Sequence, residues 1–130
     1  MHVNYLAVLV AAVSSFLLGG LWYSPKLFGP AWRRAAGDMR KKEDGHPAKV
    51  FGVSFLFALV AAYAYAMLIP LQANVVAAGV QGLLVGAGVV ATSFGINYQF
   101  ANRSGVLWLI DGGYHALQFG ICGIVLGAWR

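Results

Sequence analysis

The chain has 130 residues, 60% of them hydrophobic and 10% charged. A soluble domain carries about 25% charged residues, so this composition specifies an all-α integral membrane protein and excludes a water-soluble fold. The net charge of +5 does not point to nucleic acid, because it is concentrated: Lys26, Arg33, Arg34, Arg40, Lys41, Lys42 and Lys49 share one segment, and only Arg103 and Arg130 lie elsewhere.

Four apolar segments are read in chain order, at about residues 3–23, 50–69, 75–97 and 106–129. Each is roughly 20 residues, enough to cross a hydrocarbon core of about 30 Å. The chain is therefore expected to form a single four-helix membrane domain over residues 1–130. The first segment lacks a basic n-region and ends in bulky Trp22 and Tyr23 rather than at a small-residue cleavage site, so it reads as a retained span. Asn4 near its start can cap the helix or bond to another helix.

Next comes the basic loop, residues 25–49. Trp22-Tyr23-Ser24-Pro25 marks a helix exit, since Pro25 lacks an N–H and turns Ser24 away from helix; the alternative is a binding rim. Leu27, Phe28, Ala31, Trp32 and Ala35 recur at helical spacing, with Pro30 suited to a first helical position and Arg33 and Arg34 on another face. This predicts a short amphipathic helix on the inner membrane surface, followed by a charged, solvated linker. His2 and His46 read as solvated.

Lys and Arg clustered beside membrane spans place their loop in the cytoplasm, where anionic lipid favours them further. The expected location is the inner (cell) membrane, with both termini outside. Trp22, Tyr23, Tyr98 and Trp108 then fall at the inner interface, and Tyr5 and Trp129 at the outer one.

The third and fourth segments carry small-residue pairs, Gly82/Gly86 and Gly123/Gly127, and the first carries Ser15/Gly19. Such pairs let helix backbones approach closely. Packing within the chain is the simpler use, and a homo-oligomer seam is the other. The ends of the first and third segments also share an order of an aromatic residue, a Phe, a Gly and a Trp, an echo that a duplicated helical hairpin would leave and that two inner interfaces more readily produce by chance.

In the fourth segment stands Asp111, apart from the other three acids, which lie together in the basic loop. A carboxylate at membrane depth costs about 2.5–3.5 kcal/mol on insertion scales, so it must face the protein interior or water. Asp111, Tyr114, His115, Gln118 and Cys122 step along one helix face. Asp111 and His115 can touch at this spacing, and Asn97, with Ser93 on the same face of the third span, is the first candidate partner, a Tyr hydroxyl being another. The stripe suits either a packing node or a proton path. Cys122 is the only cysteine and reads as a buried small residue.

Gly20-Leu21-Trp22-Tyr23-Ser24-Pro25, then Leu27-Phe28-Gly29 and Trp32, together with Leu109-Ile110-Asp111-Gly112-Gly113-Tyr114-His115, Gly123, Trp129 and Asn4, resemble a bacterial membrane family, domain of unknown function family 1761. The likeness spans nearly the whole chain. It implies four membrane helices and no known activity. Where that family often carries an acidic residue before the third-loop arginine, this chain has Asn102 before Arg103.

Three functional classes compete. A structural or self-assembling interaction protein is favoured over a small proton-coupled transporter or channel using Asp111 and His115, and over a membrane-embedded enzyme. No metal-ligand spacing, P-loop, dinucleotide fingerprint or nucleophile elbow is present in the sequence, so no cofactor, metal or catalytic residue is expected.

Overall fold

The computed structural model describes residues 3–37, 46–70 and 73–129. It is all-helical: α1 (Tyr5–Trp22), α2 (Gly29–Ala36), α3 (Pro47–Leu68), α4 (Val75–Val85), a π-helical turn (Gly86–Ala91), α5 (Thr92–Phe100) and α6 (Gly105–Ala128). Helix α4, the π turn and α5 run on as a single span, giving four helices long and apolar enough to cross a membrane. His2 and the charged linker 38–45 lie outside the described residues.

The helix ends follow from local chemistry. Asn4, Asn74 and Ser104 cap α1, α4 and α6 by accepting from the N–H groups of Ala7, Ala77 and Leu107, which satisfies donors that a helix start leaves free. Asn4 also donates to the carbonyl of Trp129 at 3.3 Å, so it both caps α1 and ties its start to the end of α6. Pro47 opens α3, three residues ahead of the expected start.

Helix α6 is the axis of the bundle. Its Leu107, Gly120, Cys122, Gly123 and Leu126 are buried. Against it α1 presents a face of small residues: Ala7, Ala11, Ala12 and Ser15 are all fully buried. The Cys122 thiol, buried as expected, faces the Ala11 carbonyl at 3.9 Å.

Helix α4 approaches still closer. A Cβ on Gly82 would lie inside the Phe119 carbonyl, one on Gly123 inside the Ala78 carbonyl, and one on Gly127 2.7 Å from the Ala78 methyl. The glycine pairs of the third and fourth segments therefore serve contact within the chain. The outward faces of α1, α3 and α4 carry exposed Leu17, Phe57, Val76 and Leu84, as lipid contact requires.

The π turn is the one departure from regular helix that 3.6-residue counting does not anticipate. It falls on Gly86-Ala87-Gly88-Val89-Val90-Ala91, where Gly86 is pressed on α6; a Cβ there would stand 2.5 Å from the His115 carbonyl. The wider turn takes in one extra residue, which rotates everything after it by roughly 100°.

Candidate functional site

The exit from α1 builds one side of the site. The Ser24 carbonyl accepts from the N–H groups of Leu27 and Gly29 at 3.1 and 3.0 Å, and the Trp22 carbonyl from that of Phe28 at 3.0 Å. Gly29 is required here, since a Cβ would sit 2.5 Å from the Tyr23 carbonyl. The chain folds back tightly enough that Tyr23, before the turn, and Trp32, after it, reach the same place on α6.

That place is Asp111, 8% exposed. Its Oδ1 accepts from the Tyr23 hydroxyl at 2.6 Å and the Trp32 indole N–H at 3.0 Å. Its Oδ2 accepts from the Tyr98 hydroxyl at 2.5 Å. An ionised carboxylate is acceptor-only, and here both oxygens are met by neutral donors from the end of α1, from α2 and from α5. A neighbouring indole reinforces the node: Trp22 Nε1 donates to the Ile110 carbonyl at 2.9 Å. Trp108 Nε1 donates to Ala91, the last residue of the π turn, at 2.7 Å. These two tryptophans were expected as interface anchors. They are half-buried and bond across helices, because an indole N–H needs an acceptor once it leaves water.

The rest of the expected stripe divides. Tyr114 donates to the Ser15 carbonyl at 2.9 Å, tying α6 to α1. His115 does not pair with Asp111. Its Nδ1 lies 2.6 Å from Gln118 Oε1, and its ring stacks on Phe94 at 4.9 Å. Nor do Ser93 and Asn97 reach the carboxylate: both are exposed, and Ser93 bonds back to the Val89 carbonyl at 2.7 Å. The extra residue in the π turn moves each position forward by one, so Phe94 and Tyr98 occupy the face that regular counting gives to Ser93 and Asn97.

Helix α2 forms where expected, with Pro30 in its first turn and Arg33 and Arg34 exposed. It is fastened to the bundle's end by Trp32, and Phe28 lies against Trp22 with ring centroids 4.6 Å apart. Between α1, α2, α3 and α6 a cavity of about 1200 Å³ remains, with Asp111, Tyr23, Trp32 and Arg33 on its wall. Among the described residues no group of three or more His, Cys, Asp or Glu could hold a metal ion.

The family described as "Protein of unknown function (DUF1761)" matches residues 6–127 of the chain. The chain belongs to the DUF1761 family. Residues 6–127 take in the α1 exit, α2, the π turn and Asp111, so every element of the site falls inside the DUF1761 match. No curated protein and no solved structure gives a significant match to the chain.

Proposed function

We propose that this DUF1761 protein is a non-catalytic membrane interaction module, in which Asp111 is the clasp that holds α2 over the cavity. The observation that carries this reading is the engagement of Asp111: both oxygens are bonded to neutral donors from three segments. His115, the other half of a proton path, is engaged by Gln118 and Phe94 instead. A carboxylate held in this way organises its neighbours, fixing the end of α1, α2 and α5 around α6.

In proteoliposomes with an imposed pH gradient, wild type and Asp111→Asn should show the same proton flux, equal to that of protein-free liposomes. Flux present in wild type and abolished in a folded Asp111→Asn protein would replace this reading with the transporter.

The proposed orientation puts α2 and the basic loop in the cytoplasm of a bacterial cell, with the α3–α4 connection outside, because basic residues beside spans are retained on the inner side. A membrane-impermeant thiol reagent applied to intact spheroplasts should label a cysteine placed at Asn74 and leave one at Lys26 or Arg103 unlabelled. Native Cys122 is buried and should give little background. Labelling at Lys26 and not at Asn74 would invert the orientation.

A further inference from the structure

We propose that the cavity beneath α2 is a binding site for an anionic phospholipid, with the headgroup at Arg33 and an acyl chain running between α1 and α3. This builds on α2 being docked as described above and names what that docking encloses. The first observation is size. About 1200 Å³ exceeds the roughly 300–1,000 Å³ of small-molecule pockets, so the space suits an extended amphiphile.

The second observation is how the walls are distributed. Phe16, Phe51 and Val50 line the part between α1 and α3. Room exists there because α1 contributes Gly19 and Gly20 to the wall, and a Cβ on Gly20 would meet nothing within 4 Å. The gap ends where Phe16 meets Phe51 and Phe55 edge-on, at 6.4 and 5.3 Å, and beyond it Tyr5 stacks on Tyr63 at 6.1 Å. Gly20, Phe51 and Ser54 line the cavity, are exposed, and belong to apolar spans. The opening therefore lies at the α1–α3 seam, on the side a lipid chain would enter.

The third observation is charge. The polar end of the cavity holds Arg33 and Asp111. Asp111 is the only acid among the described residues, and three neutral donors already use its oxygens. Arg33 is an exposed guanidinium on the wall of a cavity whose other end is apolar. Guanidinium recognises phosphate through paired N–H donors. An anionic phospholipid supplies both the phosphate and the chain, and a zwitterionic lipid supplies the chain with its phosphate charge already offset.

The protein in mild detergent, titrated with phosphatidylglycerol or phosphatidylcholine at equal concentration and read by native mass spectrometry, tests this. Wild type should bind phosphatidylglycerol about tenfold more tightly or better, the scale of one hydrogen-bonded charge contact. Arg33→Gln should lose that preference, whereas Arg34→Gln, one residue along and off the cavity wall, should keep it. Gly20→Leu, which places its side chain in open space and should melt like wild type, should lose binding of both lipids. Equal affinity for the two lipids in wild type, equal effects of Arg33→Gln and Arg34→Gln, or full binding by Gly20→Leu would each overturn the proposal. None of these results depends on proton flux, so a failure here and a failure of the interaction-module reading can be told apart.

Discussion

Asp111→Ala should destabilise the bundle by about 3 kcal/mol or more, while Asp111→Asn should cost about 1 kcal/mol. The alanine leaves the Tyr23, Trp32 and Tyr98 donors without their acceptor, and an unsatisfied buried donor costs roughly 1–3 kcal/mol. The asparagine can keep all three contacts. Its carbonyl, set where Oδ1 stands, accepts from Tyr23 and Trp32. Its amide, set where Oδ2 stands, donates to Tyr98, whose hydroxyl rotates to accept. What is lost is the charge assistance to three bonds. Thermal unfolding in detergent, followed by circular dichroism, should rank wild type, Asp111→Asn and Asp111→Ala in that order, with the large gap before alanine. Equal losses for the two variants would mean that the charge, and not the hydrogen-bond geometry, holds α2 in place.

Gly82→Ala and Gly123→Ala should each cost about 3 kcal/mol, the upper part of the range for overpacking. Each new methyl would run into a backbone carbonyl, of Phe119 or of Ala78, and backbone cannot rotate aside as a side chain can. Relief requires α4 and α6 to separate, and these helices form the closest seam in the bundle. Gly52→Ala is the control. Nothing lies within 4 Å of a Cβ there, and removing a glycine from a helix interior is worth about 0.5–1 kcal/mol in the opposite direction. The same variants bear on self-association. A loss of monomer stability assigns the glycines to the fold, whereas a fall in oligomer content with an unchanged melting profile would assign them to a seam between copies.

Much of this architecture was legible in the sequence, because hydropathy, capping and proline act locally. Four apolar stretches, Pro47 and Pro70 about the second of them, and Pro30 in α2 are enough to draw the helices. Asp111 stood out because a carboxylate at that depth demands a partner. Its actual partners were less legible. Tyr23 reads as part of the helix exit and Trp32 as part of the amphipathic helix, but that the chain between them folds back onto α6 depends on Gly29 fitting beneath the Tyr23 carbonyl, a tertiary fact. A Tyr hydroxyl is among the partners the sequence allows, but that it is Tyr98 and not its neighbour Asn97 follows from one added residue in the π turn, which rotates the helix beyond it. No composition rule announces such a turn, though two glycines within three positions at Gly86 and Gly88 are a reason to suspect that regular counting fails downstream. The faint echo between the ends of the first and third segments pairs Tyr23 with Tyr98, and these are the two tyrosines that meet on the carboxylate.

The clasp also orders events during biosynthesis. Tyr23, Trp32 and Tyr98 are all made before Asp111, and their acceptor arrives with the last span, the least apolar of the four. Chains emerge N-terminus first, so the earlier spans can wait in the membrane with these donors unengaged until α6 enters. Asp111 then meets a bundle already shaped to receive it, which offsets the cost of bringing a carboxylate into lipid. A nascent chain halted before α6 should consequently hold α2 loosely, open to protease from the side on which it lies, and release of the final segment should protect it in a single step.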